Sequence, residues 1–330
     1  MTASRPAILI ARKIFPEVVE RLRTVFEVDA HLSDEPLDAL ALRARLQGKA
    51  GVFVAGTEPI NAGLLAACPG LRAVCSMAVG YNNIDVPACT AAGVLASNAP
   101  GVLTETTADF GFALMMATAR RIGEAERYLR AGHWKHWGFD MMAGADVHGS
   151  TLGVLGMGRI GQAIARRGVH GFGMSLIYHN RSRLPEADEQ ALGARWVDLP
   201  SLLREADHLV IVVPYSASSH HLIGAAELSQ MKPTATLTNI ARGGVVDDAA
   251  LAQALARRTI AAAGLDVFEG EPAVHPDLLT LSNVVLTPHI ASASLPTRRA
   301  MCDLAADNLI AALTGGVPPT ALNPEVLTRA

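Results

Sequence analysis

Two doubly wound α/β domains, each built on a parallel sheet, are predicted for this 330-residue chain by three observations. Short apolar runs alternate with amphipathic stretches along almost the whole sequence, which is the pattern of parallel strands covered by helices on both faces. A break at Asn98-Ala99-Pro100-Gly101 divides that alternation in two, and a long helical pattern follows at once. The length exceeds one ordinary domain and suits two.

Each element follows from its local pattern. Residues 7–11 (AILIA) read as a buried strand, 17–23 as a helix and 25–30 as a second strand. Residues 36–47 are helical, with Leu37, Leu40, Leu42 and Leu46 near one face. A strand at 51–55 (GVFVA), a helix at 61–67 and a strand at 71–76 (LRAVCS) continue the alternation. Beyond the break, Thr104 can cap a helix running to residue 131, a length that suits a hinge or an interface. Residues 133–149 form a loop with two Trp, three His and two Met. That loop is too long and too aromatic for a neutral connector and points to a dimer or active-site role. Strands are predicted at 151–155, 174–179, 208–213, 235–240, 260–265 and 284–287, with helices between them. The tail at 295–313 is helical again, and its apolar residues are the natural cover for the N-terminal sheet. The first domain is therefore read as discontinuous, 1–100 with 290–330, and the second as 101–289.

Composition excludes several classes. Half the residues are hydrophobic and 18% are charged, which no disordered chain shows. The net charge of −3 and a pI of 6.4 give no global attraction to nucleic acid or to an anionic membrane. Mean hydropathy is high at +0.26, yet no uncharged apolar run reaches the roughly 18 residues of a spanning helix. Arg5 and Pro6 precede only a short apolar run, so no signal peptide is predicted. The four cysteines, at 68, 75, 89 and 302, form no C-x-x-C pair and have no histidine at zinc-finger spacing. They read as buried thiols in a reducing compartment, which predicts a cytoplasmic protein.

The most informative stretch is Gly156-Met157-Gly158-Arg159-Ile160-Gly161. A G-x-G-x-x-G is a weak signal alone, but here it closes an apolar strand and opens a helical run. Gly156 permits the tight turn, Gly158 admits a pyrophosphate and Gly161 lets the helix pack on the strand. The helix N-terminus offers N–H groups and partial positive charge to the anion. The next strand ends in Asn180-Arg181-Ser182-Arg183, about 20 residues beyond the third glycine, where an NAD enzyme places an acidic residue against the ribose 2′-OH. Asn180 takes that place, and Arg181 and Arg183 would attract a 2′-phosphate. NADP(H) is the predicted cofactor, with NAD(H) possible.

Three further loops, each following an apolar strand, carry Arg242, Glu271 and His289. In open α/β sheets the ligand crevice lies beyond such carboxyl ends, so the three can converge. Hydride transfer to a 2-keto acid leaves negative charge on the carbonyl oxygen. A protonated histidine can donate the proton, and a carboxylate can keep it charged and oriented. Arginine offers a planar fork for the substrate carboxylate.

These motifs make the chain resemble, over nearly its whole length, the D-isomer-specific 2-hydroxyacid dehydrogenase family. The resemblance implies two Rossmann-like domains, one flavodoxin-like and one dinucleotide-binding, with the active site in the cleft between them. It implies that Arg242 of N-x-x-R-G-G binds the substrate carboxylate and polarises the carbonyl. Glu271 of D-V-F-x-x-E-P would partner His289 of T-P-H-I, the acid/base. Asp266 and Thr107 would face the nicotinamide. Backbone N–H groups around Val79 and Gly80, in the loop 78–85, would take the carboxylate, with Ser292 nearby. Val212, Val213 and Pro214 would flank the adenosine, and Arg159, Ile160, Asn180, Arg181, Ser182, Ile240 and Ala241 complete the cofactor contacts. The chain looks most like the glyoxylate/hydroxypyruvate and 2-ketogluconate reductases. Another D-2-hydroxy acid, such as lactate or 3-phosphoglycerate, and a dinucleotide-sensing corepressor role are the alternatives.

The implied partners are a small 2-keto acid and a second copy of the chain, with neither nucleic acid nor membrane. The His220-His221 and His133-x-x-His136 pairs lack a carboxylate or thiol at a convincing spacing, and no metal is predicted. Trp134 and Trp137 could stack on a partner subunit or simply pack the loop.

Overall fold

In the computed structural model, which describes residues 5–328, the chain divides at Leu103 and again at Ser294. One unit takes the residues up to Leu103 together with those from Ser294, and the other is Thr104–Ala293.

In the first unit the apolar runs become parallel strands β1 (Ala7–Ile10), β2 (Glu27–Ala30), β3 (Gly51–Val54), β4 (Ala73–Ser76) and β5 (Leu95–Ser97), ordered β2-β1-β3-β4-β5. β3 and β4 are buried along their whole length, as a continuous apolar run requires when both faces are covered. One cover is the helix Leu295–Thr314, whose Cys302, Ala305, Ala306 and Leu309 join Ile8, Ile10 and Phe53 in one core. An added Cβ at Gly51 would meet Leu309 and Leu313 at 2.8 Å, so this glycine sets how closely the helix approaches the sheet. The three-residue β5 was not predicted, because a strand that short carries too little pattern.

The second unit holds a seven-stranded parallel sheet: β6 (Thr151–Leu155), β7 (Ser175–His179), β8 (Ala194–Trp196), β9 (His208–Ile211), β10 (Thr236–Asn239), β11 (Ala262–Leu265) and β12 (Val284–Leu286). The order is β12-β11-β10-β9-β6-β7-β8, so the winding reverses between β6 and β9. Ligands of doubly wound sheets sit outside the carboxyl ends at such a switch point.

The single helix predicted from 104 to 131 is two. Thr104–Ala119 ends before Arg121, which adopts φ 54°, and Ile122–Arg130 starts anew. Arg121 donates to Glu124 at 2.8 and 3.0 Å and to Ala143 O at 3.2 Å, which holds the turned backbone. The first helix is buried against β10 and β11, whereas no residue of the second is buried. Neither Gly nor Pro marks the break, so periodicity ran through it. All four cysteines are buried, and burial pushes the Cys75 thiol up to about 12. No helix among the described residues is long and apolar enough to cross a membrane.

Candidate active site

The glycine turn is built by contacts only glycine allows. Gly156 has φ 104°, and its N–H donates to His179 O at 3.0 Å. An added Cβ there would meet the backbone of Val212 and Val213 at 2.8 Å, and one at Gly161 would lie 2.2 Å from Gly156 O. Gly158 faces open space and precedes the helix Arg159–Arg166, whose start has no side-chain cap. The first N–H groups of that helix are thus left for an anion. Arg159 is exposed and Ile160 half-buried beside them. Val213 and Pro214 follow β9, and the buried Ile240 and Ala241 follow β10, at the same end of the sheet. Thr107 is buried on the helix Thr104–Ala119 with its Oγ1 unpartnered. Uncapped N–H groups, an open glycine and an orphaned buried hydroxyl fit a dinucleotide with a polar end group.

The turn after β7 differs from expectation at one residue. Asn180 Oδ1 accepts the Met157 N–H at 2.7 Å and so braces the glycine turn. Arg181 and Ser182 are exposed. Arg183 is exposed but already engaged in an ion pair. Its Nε donates to both oxygens of the buried Glu189 at 2.8 and 2.9 Å, and Tyr178 Oη donates to the same carboxylate. The Leu184 N–H donates to Tyr178 Oη at 2.8 Å, which closes the turn. A buried carboxylate requires such a partner, and Arg183 supplies it.

Arg242, Glu271 and His289 leave the carboxyl ends of β10, β11 and β12. Buried Asn239 shapes the first loop: its Oδ1 accepts the Ala241 N–H at 3.0 Å and its Nδ2 donates to Arg242 O at 3.4 Å. Burial lowers the Arg242 guanidinium from its ordinary value and the Glu271 charge opposes that. Arginine starts above about 12, so it stays cationic at neutral pH. An added Cβ at Gly243 would lie 1.7 Å from Phe268 O. The Arg242 and Glu271 loops therefore touch backbone to backbone.

His289 Nδ1 donates to Glu271 Oε1 at 2.6 Å. Its φ of 53° is one that non-glycine residues rarely adopt. Fully buried Asp266 holds it there: Oδ1 accepts from Thr287 Oγ1 at 2.7 Å and from the Ile290 N–H at 2.8 Å, and Oδ2 accepts the Ala291 N–H at 2.8 Å. Those bonds bracket the histidine on both sides. The half-buried Ser292 follows directly. Burial works to raise the Glu271 carboxyl, but the bond and charge of His289, the Phe268 N–H and the Arg242 charge outweigh it, so the group sits below its ordinary range.

Residues 112–291 match the NAD binding domain of the D-isomer specific 2-hydroxyacid dehydrogenases. Over 327 residues, 98% of this chain and 97% of the relative, the sequence is 46% identical to the glyoxylate reductase of Thermococcus onnurineus. Over 326 residues, with the same two shares, it is 47% identical to the glyoxylate reductase of Korarchaeum cryptofilum. The chain belongs to the D-isomer specific 2-hydroxyacid dehydrogenases. The crystal structure of an NADPH-dependent glyoxylate/hydroxypyruvate reductase from Sinorhizobium meliloti, in complex with NADP and malonate, matches with a TM-score of 0.87 at 40% identity, covering 97% of this chain and 98% of that one. This dehydrogenase is thus an oxidoreductase that binds a nicotinamide dinucleotide.

A depressed carboxylate contributes stability that is present above its unfolded pKa and lost as pH falls through the folded value. The dehydrogenase should therefore have a higher Tm than its Glu271→Gln variant at neutral pH. The gap should close below the ordinary carboxyl pKa of about 4.3, as thermal scans across pH will read.

Other predicted positions fall as follows. Val79 and Gly80 are half-buried in the loop after β4, in the first unit. In the 133–149 loop, Trp134 is 52%, Trp137 72% and Phe139 92% exposed. Among the described residues, His220, His221 and Glu269 each offer a possible metal-ligand atom within 4.8 Å of the others. The fold supplies the carboxylate that spacing did not reveal. However, the two imidazoles stack 3.9 Å apart at 22°, so their in-plane lone pairs run side by side rather than converge. His221 Nε2 donates instead to Glu269 Oε2 at 2.8 Å, its N–H donates to Gly244 O at 2.7 Å, and the Glu269 N–H donates to Asp248 Oδ2 at 3.0 Å. This clasp, and the anchoring by Asn239 and Asp266, escaped sequence reading. Only the Asn at the head of N-x-x-R-G-G and the Asp of D-V-F, both inside motifs already singled out, could have signalled it.

Proposed function

We propose that this dehydrogenase reduces glyoxylate and hydroxypyruvate, and more slowly bulkier 2-keto acids such as 2-ketogluconate, with NADPH preferred over NADH. The observation that carries the reading is the 2.6 Å bond from His289 to Glu271 at the sheet end that also bears Arg242 and the glycine turn. The nicotinamide, when bound, supplies the hydride. Glu271 holds Nδ1 of His289, which leaves Nε2 to give its proton to the carbonyl oxygen as negative charge develops there. Arg242 binds the substrate carboxylate and polarises the carbonyl, and the N–H groups of Val79 and Gly80 take the carboxylate as well. Ser292 lines the substrate. Thr107 and Asp266 orient the nicotinamide end. Gly156, Gly158, Arg159, Ile160 and Gly161 hold the pyrophosphate, and Val213, Pro214, Ile240 and Ala241 line the remainder.

The substrate class is supported by the names of the two reductases, 46% and 47% identical to this chain. NADPH is supported by exposed Arg181 and Ser182, with no acidic side chain at Asn180 to repel a phosphate. Arg183 adds less, because its guanidinium is already paired with Glu189. Arg181→Asp should lower the ratio of kcat/KM with NADPH to that with NADH by roughly tenfold or more. A ratio unmoved by the substitution, or a wild-type ratio of one or less, overturns the NADPH preference.

Two lesser points belong to the same reading. The exposed Trp137 and Phe139 support a homodimer formed through the 133–149 loop, since an apolar patch of that kind seeks cover. The four buried, unpaired cysteines support a cytoplasmic setting.

A further inference from the structure

The Val79–Gly80 turn is held from two sides. On one, Asn98 Nδ2 donates to Val79 O at 2.7 Å and the Ala99 N–H donates to Ala78 O at 3.0 Å. On the other stands the segment that leaves β3. Ser76 Oγ donates to Ala55 O and accepts the Ala78 N–H at 3.1 Å. Asn83 Nδ2 donates to Glu58 O at 2.9 Å, and the Ile60 N–H donates to Asn83 O at 2.8 Å. The shape of residues 55–60 therefore decides where residues 76–83 lie.

That segment is itself fixed by a buried ion pair. Glu58 is 1% exposed. Its Oε1 accepts from Arg12 Nη2 at 2.8 Å, and its Oε2 accepts the Ala55 N–H at 2.8 Å, which curls the segment back on itself. Arg12 also donates through Nη2 to Thr57 Oγ1 at 2.7 Å and through Nη1 to Asp34 O at 2.8 Å. Arg12 follows β1 and Glu58 follows β3, neighbouring strands of the first sheet. A carboxylate taken out of water is tolerable only with such a partner, and removing one member leaves the other uncompensated. Neither residue is explained by the reaction assigned above.

We infer that Glu58 and Arg12 are positioning residues for the keto acid: they fix the β3 exit segment so that the Val79 and Gly80 N–H groups are held ready for the substrate carboxylate. This rests on the reading that those N–H groups bind it. Neither side chain touches substrate, and their effect travels through Ala55–Ser76 and Glu58–Asn83.

Glu58→Gln keeps the shape and removes the charge. The KM for glyoxylate should rise roughly tenfold or more, with kcat at saturation within about threefold of wild type. The Kd for NADPH, read by nucleotide fluorescence without keto acid, should not move. Hydrogen exchange at the amides of residues 76–83 should quicken. Arg12→Lys keeps the charge and loses the fork, so it should give a smaller KM rise. If Glu58→Gln does not fold, Arg12→Lys and the double variant Arg12→Gln/Glu58→Gln carry the test, because the double variant buries no lone charge. Unchanged exchange with unchanged KM overturns the anchor and leaves the carboxylate site standing. Quickened exchange with unchanged KM overturns the inference together with the reading of Val79 and Gly80. A KM and a NADPH Kd that rise together also overturn it, because a general loss of structure then explains both.

Discussion

His289→Ala should lower kcat for keto-acid reduction by roughly 10²–10⁴-fold, the usual contribution of a positioned acid or base. The KM for the keto acid should change far less, because the proton is given up only as the carbonyl oxygen gains charge. The geometry makes the residue hard to replace. His289 stands in a left-handed backbone, bracketed by three bonds to Asp266, and reaches Glu271 at 2.6 Å. His289→Gln, which keeps a hydrogen-bond donor but cannot carry the proton, should recover little. Steady-state rates with NADPH check both variants. A kcat within threefold of wild type for His289→Ala would remove it from the chemistry.

Arg242→Ala should damage kcat and KM together, with kcat/KM down roughly 10²-fold or more, because in the proposed reaction one group both binds the carboxylate and stabilises the developing oxyanion. Arg242→Lys tests the fork separately from the charge, since lysine is a point charge without the planar pair of donors. It should keep some kcat while its KM stays high. The residue is half-buried and its loop lies backbone to backbone against the Glu271 loop, so its placement has little freedom. Turnover by Arg242→Ala within about threefold of wild type would rule out the carboxylate clamp.

What could be read in advance was local. Gly156, Gly158 and Gly161 announce themselves because a strand–turn–helix with a close approach needs glycine at those spacings. The contacts that a Cβ would make account for Gly156 and Gly161, whereas Gly158 faces open space. The apolar runs gave the strands because parallel strands buried on both faces tolerate little else. What could not be read was through-space. Arg183 looks like a free cation in the sequence, and only the helix Glu186–Leu192 brings Glu189 beneath it. The turn at Arg121 is set by its contacts with Glu124 and Ala143, not by a breaker residue. No motif in the sequence marks Glu58, and only the neighbouring exits of β1 and β3 bring Arg12 to it. Asp266 and Asn239 lie within motifs that sequence did expose, but their work of holding His289 and Arg242 is visible only as hydrogen bonds.

The central claim is that His289, Glu271 and Arg242 serve NADPH-dependent reduction of a small 2-keto acid. Its most direct test is the initial rate of NADPH oxidation by the wild-type protein with glyoxylate, beside hydroxypyruvate, 2-ketogluconate and pyruvate, each repeated with NADH. The account predicts saturable turnover that is highest with glyoxylate or hydroxypyruvate and better with NADPH. Tight NADPH binding with no turnover of any of the four would contradict it.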